Sequence, residues 1–194
     1  MKIWLASQSP RRGELLTQIG VAFDLLLPDD RDAAEALEAV RAHEPPNQYV
    51  QRVGLAKLEL AEHTRVSRAL EQRPILCADT TVAIGGRILG KPADADEARA
   101  MLGSLSGRTH RVLSAVAIRR GSRVLHRVQV SRVTMRRLGA AEIDEYIAGG
   151  ESFDKAGGYG IQGHAASWVR RIEGSYSGIM GLPLFETAQL LGMR

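Results

Sequence analysis

The chain has 194 residues, 44% of them hydrophobic, 25% charged and 5% aromatic, with a net charge of +4. This composition excludes a disordered or fibrous chain and predicts one globular domain over residues 1–194, or two closely packed lobes. A single cysteine, Cys77, cannot close an intramolecular disulfide, and no stretch approaches the ~18 apolar residues of a membrane span, so a cytoplasmic protein without a membrane partner is expected.

Lys2 to Ala6 reads as a short buried strand. Ser9 followed by Pro10 marks a helix start, since serine caps and proline suits the first helical position. That helix runs to Ile19, and Gly20 stops it. Val21 to Leu27 forms a second strand that ends at Pro28. A helix is expected from Asp32 to Ala42, then a break at Pro45-Pro46. A second helix, capped by Asn47, runs to His63 with Val50, Val53, Leu55, Leu58 and Leu60 on its apolar side. Arg65 to Arg73 is an exposed connection.

Pro74 to Ala78 is an apolar strand predicted to terminate at Asp79. Thr81–Ile84 and Arg87–Leu89 flank Gly85-Gly86, the glycine pair of a tight hairpin. Asp94 opens a helix through Leu102. His110–Arg119 and Arg123–Met135 form two long strands about Gly121, and Ala140–Ala148 is helical. The last quarter is rich in glycine and ends in a helix from Pro183 to Leu191. Strands interleaved with helices, without strict βαβαβ order, give a mixed α/β fold.

Three segments carry candidate chemistry. In Ser7-Gln-Ser-Pro-Arg-Arg12 a strand runs into a helix start, where free N–H groups and the positive dipole end attract phosphate. Arginines there are unfavourable for the helix itself, which suggests an anion that offsets them; a guanidinium grips phosphate with two prongs. An ordinary capped helix with solvated arginines is the competing reading. Asp79, at the end of an apolar strand, stands where α/β proteins place ligands, and can hold Mg²⁺ or take a proton from water. The following hairpin can return Lys91 toward it; a turn-capping Asp79 is the alternative. Asp154 to Gly163 permits close backbone approach to a ligand, with Lys155 and Gln162 as its polar groups.

Other features carry no chemistry. Gly85 to Lys91 matches the first seven positions of a P-loop, but Pro92 replaces the hydroxyl that would hold Mg²⁺ and interrupts the required helix. The five histidines lack metal-ligand spacing. Cys77 has no neighbour to activate its thiol and reads as a buried strand residue.

Taken in order, Ser7–Arg12, Ala78-Asp-Thr80, Gly90-Lys-Pro92, Leu105-Ser-Gly107 with His110, Lys155-Ala-Gly157, Tyr159–Gly163 and Gly181-Leu-Pro183 resemble the Maf family over nearly the whole chain. The resemblance implies a fold related to inosine triphosphate pyrophosphatases, two lobes with a cleft, and a homodimer. It implies a house-cleaning hydrolase that uses a divalent metal, Mg²⁺ or Mn²⁺, to split nucleoside triphosphates into monophosphate and pyrophosphate. Asp79-Thr80 and Tyr159-Gly-Ile-Gln162 resemble the dTTP/UTP branch, with modified pyrimidines such as pseudo-UTP and 5-methyl-UTP as further substrates. Ser7, Arg11, Arg12, Lys57, Lys91 and Gln162 match the family's substrate-binding positions, and Asp79 matches its catalytic acid. The family often has an acidic pair after the second strand, where this chain has Arg31-Asp32; Asp32 joins Asp79 as a metal-ligand candidate with a shorter reach.

Two alternatives come from other classes. A nucleic-acid-binding regulator of septum formation fits the basic charge, but scattered arginines and few aromatic residues for base stacking disfavour it. A pyrophosphatase for purine or 7-methyl-GTP nucleotides differs in its base pocket alone.

Overall fold

A computed structural model describes residues 2–193. Its spine is β3 (Ile75–Ile84), whose ten residues are nearly all buried. A strand covered on both faces needs apolar residues at consecutive positions, and Ile75-Leu-Cys-Ala78 and Val82-Ala-Ile84 supply them.

Seven strands make one sheet in the order β2-β1-β3-β5-β6-β7, with β4 also paired to β3. β1 (Lys2–Leu5) lies parallel to β2 (Ala22–Leu25) and to the start of β3. β5 (Thr109–Arg120) and β6 (Arg123–Met135) extend the sheet antiparallel. β4 (Arg87–Leu89) folds back on β3 through Gly85 and Gly86, at φ 56° and 85°. Two consecutive positive φ values are what a type I′ turn demands. The P-loop-like run is therefore hairpin turn and strand. Mixed α/β architecture holds as expected from the sequence.

The helices cover the sheet unequally. α3 (Pro46–Ser67) lies across one face, where Leu58 and Ala61 pack with Trp4, Ile75 and Cys77. α1 (Pro10–Gln18) and α7 (Leu184–Leu191) bury Leu15, Leu16, Leu190 and Leu191 on the other face, against Leu5, Leu76 and Val116. Farther along that face, α4 (Ala95–Leu105) and α5 (Ala140–Ala148) build a second core with Val82, Val112 and Val133.

Several sequence expectations need correction. β3 does not end at Asp79 but continues to Ile84, because β5 pairs with it throughout, from Ile75↔Arg119 to Ala83↔Arg111. What ends is its other neighbour. β1 pairs only as far as Leu5↔Leu76, and β4 begins at Val82. One edge of β3 is thus bare between them, and Asp79 stands in that gap.

α2 (Arg31–Ala36) stops six residues short of the expected Ala42. The carbonyls of Leu37 and Ala39 accept from the Arg52 guanidinium at 3.1 and 2.9 Å, and that of Glu38 from the Tyr49 hydroxyl at 2.9 Å. Those long-range bonds replace helical ones. α3 starts one residue before Asn47, with Pro46 in its first turn, and reaches Ser67. Strand β7 (Val169–Glu173) pairs with the end of β6; its Arg170-Arg171 pair hid it in the sequence. α6 (Tyr176–Met180) precedes α7.

Candidate active site

A cavity of about 740 Å³ opens at the gap beside β3. Its lining includes Ser7, Arg11, Arg12, Lys57, Asp79, Lys91 and Gln162, so seven positions singled out from the sequence share one space. Asp32 is not among them: it lies exposed on α2. Glu38 faces the cavity instead, carried there by the irregular segment that Arg52 and Tyr49 hold.

The centre is a chain of charges. Lys57 Nζ donates to Asp79 Oδ1 at 2.7 Å and to Glu38 Oε1 at 2.6 Å; Lys91 Nζ stands 3.4 Å from Glu38 Oε2. Asp79 is buried, whereas the Lys91 side chain is 53% exposed. Burial works against the Lys57 ammonium, but Asp79 and Glu38 outweigh it and hold its pKa above the usual lysine value. Burial likewise acts to raise Glu38, yet Lys57 and Lys91 bring it below the ordinary glutamate range.

α1 supplies the second group. Ser9 occupies the cap position, but its side chain makes no capping bond. The capping expectation therefore holds in position and not in bonding, and among the described residues no side chain caps the positive helix end. Ser7 Oγ accepts from Ser9 N at 3.2 Å and from Arg12 Nη1 at 3.0 Å; Arg12 Nε donates to Gly181 O at 2.8 Å. Burial lowers the Arg12 pKa, opposed by Asp79 and Glu38. Arg11 turns the other way, to Asp154 at 3.2 Å. Thr80 Oγ1 lies 2.8 Å from Ser114 Oγ, which donates to Gly178 O at 2.6 Å.

The facing wall is residues 151–163. Gly157 N donates to Gly90 O at 2.9 Å, which ties the glycine run to the end of β4 beside Lys91. Gly157 has φ 71°, and a Cβ there would meet three carbons of Val82 at 3.0 Å. Only glycine meets both constraints. Lys155 donates to Glu151 O at 2.7 Å and pairs with Asp154. Tyr159 OH and His110 Nε2, both buried, stand 2.7 Å apart. Burial pushes the His110 pKa down to about 4 and keeps it neutral at physiological pH. Gln162 is exposed at the cavity rim.

Sequence reasoning missed Glu38 and Tyr49, and took Asp154 only as the start of the glycine-rich segment. Glu38 sits in a run of alanines and glutamates with no local motif, and only the long-range bonds from Tyr49 and Arg52 select it. Cys77 is fully buried with its thiol pushed up to about 12 by burial, so it is no nucleophile. Among the described residues no group of three or more His, Cys, Asp or Glu could hold a metal ion unaided, and no helix is long and apolar enough to cross a membrane.

A family profile described as Maf-like protein matches residues 2–194. The chain is 60% identical over 189 residues to proteins named dTTP/UTP pyrophosphatase from Cupriavidus pinatubonensis and Cupriavidus metallidurans, covering 97% of this chain and 94% of each relative. It is 58% identical over 190 residues to the protein of that name from Ralstonia nicotianae, covering 97% and 92%. Among solved structures it is similar, at TM-score 0.42 and 14% identity, to a nucleoside-triphosphatase / dITP/XTP pyrophosphatase from Mycobacterium abscessus, over 71% of this chain and 76% of that one.

Proposed function

The chain belongs to the Maf family, and from that premise we propose that it hydrolyses dTTP and UTP to the nucleoside monophosphate and pyrophosphate. One observation carries the reading: Arg12, Lys57 and Lys91 converge with two carboxylates on a single cavity. Three cations suit a triphosphate, and a carboxylate among them suits a water that must lose a proton.

The donor set fits a divalent cation of the Mg²⁺ type. Such an ion takes one or two protein carboxylates and completes its shell with phosphate oxygens and water. Asp79 and Glu38 already close on one cation, the Lys57 ammonium, at 2.7 and 2.6 Å. These two would hold the metal, which draws charge from the triphosphate when bound; Asp32 stands outside the cavity.

The chain's own residues account for the remaining steps. The first turn of α1 and Arg12 bind phosphate oxygens, and Lys57 and Lys91 neutralise the β and γ phosphates as charge moves onto them. Among the described residues only Oδ1 of Asp79 has a hydrogen-bond partner, so Oδ2 is left to take a proton from water. That water bonds to the α-phosphorus, the bridge to the β-phosphate breaks, and its electrons leave with pyrophosphate. Gln162, exposed at the rim, supplies an amide that can pair with a pyrimidine edge.

Hydrolysis in ¹⁸O-labelled water, with pyrophosphate release followed across pyrimidine and purine triphosphates, tests this. The label is expected in the monophosphate, with dTTP and UTP leading. Label confined to pyrophosphate refutes attack at the α-phosphorus, and preference for purines refutes the substrate assignment.

A further inference from the structure

We propose that Thr81 is a further working residue of the cavity, whose hydroxyl holds the attacking water against Asp79. The inference rests on the hydrolytic reading above and adds a group to it.

Thr81 lines the cavity, is 2% exposed, and its Oγ1 is buried without a hydrogen-bond partner. A buried hydroxyl is nearly always paired, and an unpaired one destabilises the folded state. Packing gives no reason for it. Ala83, the next residue on the same face of β3, sits among Tyr49, Val50 and Val53, and valine would fill the volume at 81 without a stranded oxygen. The adjacent Thr80, on the opposite face, is engaged on two sides, 2.8 Å from Ser114 Oγ and 3.4 Å from Gly181 O. One threonine is tied into the fold; its neighbour is not.

Position explains the difference. Residues two apart on a strand project from one face with Cα atoms about 7 Å apart. That span admits one water with hydrogen bonds of about 2.8 Å to a carboxylate on one side and a hydroxyl on the other. A threonine hydroxyl both donates and accepts, so it can hold one hydrogen of the water while Asp79 takes the other. The oxygen lone pair is then directed at the α-phosphorus. Lys57 bridges Glu38 and Asp79; with phosphate on that ammonium, a turn about χ1 would present Oγ1 to the water. Proton transfer to Asp79, bond formation to phosphorus and departure of pyrophosphate follow as before.

The experiment compares wild-type protein with Thr81→Val and Thr81→Ser by kcat and KM for dTTP and by the Tm of the nucleotide-free protein. Thr81→Val is expected to lower kcat about 10- to 100-fold with KM nearly unchanged. Its Tm should hold or rise by about 2–4 °C, because the stranded hydroxyl is gone. Thr81→Ser should return most of the rate while its Tm falls, since a methyl is lost and the hydroxyl kept. Between the two variants activity and stability thus run in opposite orders, which a merely structural threonine would not produce. Wild-type kcat in Thr81→Val, or a Tm that falls together with kcat, overturns the proposal and leaves the hydrolytic reading standing. A wild-type protein that releases pyrophosphate from no triphosphate overturns both.

Discussion

The two walls of the cavity are built on different physical plans. One wall is charge drawn from distant parts of the chain: Glu38 after α2, Lys57 on α3, Asp79 on β3 and Lys91 beyond β4. The other is a single segment shaped mainly by neutral bonds and close packing, with its charged pairs, Arg11–Asp154 and Lys155–Asp154, at its near end. There Ser152 donates to Gly158 O at 2.9 Å, Tyr159 meets His110, and Gly157 rests on Val82. Neutralising a group of the charge cluster removes a charge from the place where substrate charge develops, and the cost falls on turnover wherever the remaining groups keep a partner. Altering a glycine wall displaces backbone, and its cost falls on folding. The comparison predicts that the first wall fails in turnover and the second in stability.

The largest effect expected is at Asp79. Asp79→Asn keeps the shape, and Lys57 keeps Glu38 as a partner, so the fold should survive. Turnover should fall about 10³-fold or more, the scale of a lost general base with its charge. Steady-state kinetics beside circular dichroism measure this; a loss under ten-fold in a folded variant would break the contrast at its strongest point.

Gly157→Ala is the counterpart on the other wall. A left-handed non-glycine residue costs about 1–2 kcal/mol and overpacking another 1–3 kcal/mol, and both apply with φ 71° and Val82 at 3.0 Å. Urea titration should show a stability loss of about 3–4 kcal/mol. Per folded molecule, kcat should change far less than in Asp79→Asn. An alanine tolerated within 1 kcal/mol would show that this wall yields.

His110 tests the same wall by pH. Its folded pKa, about 4, lies below the unfolded 6.5 because burial disfavours the charged ring. Between these values the unfolded chain binds more protons than the folded one. The stabilisation is therefore complete above pH 6.5 and is lost as pH falls to about 4. The depressed pKa corresponds to roughly 3 kcal/mol over that window. In His110→Gln the slope of stability against pH should flatten there. An unchanged slope would place the titration elsewhere.

These contrasts also mark what was legible in the sequence. Segments whose chemistry is contiguous, such as Ser7–Arg12, the Gly85-Gly86 turn and Lys155–Gln162, could be read because local geometry and function share the same residues. The capped α4 and the β5–β6 hairpin were equally local. Asp79, which lines the cavity, was singled out for a partly mistaken reason: the strand does not end there, its neighbour β1 does, and one strand's pattern says nothing about where another stops. Glu38 was beyond reach, since three carbonyls captured by Arg52 and Tyr49 decide that α2 ends early. Thr81 showed only β propensity, and its buried, unpaired oxygen is a property of the packed fold.

The smallest effect separates the buried and exposed ends of the charged wall itself. Lys57 is largely covered and meets two carboxylates, whereas Lys91 is 53% exposed and stands 3.4 Å from Glu38. Salt shortens the screening length from about 10 Å at 0.1 M to 3 Å at 1 M, and acts mainly on charges that water reaches. Lys91→Ala should therefore lower kcat/KM for dTTP about ten-fold at low salt, as expected when an exposed cation no longer attracts and holds an anionic substrate. The gap to wild type should narrow as salt rises toward 0.5 M. Lys57→Ala should lower kcat/KM by more, with a gap that salt leaves nearly unchanged. If both gaps close together, Lys57 is exposed to solvent when substrate arrives, and the buried end of the wall opens before chemistry begins.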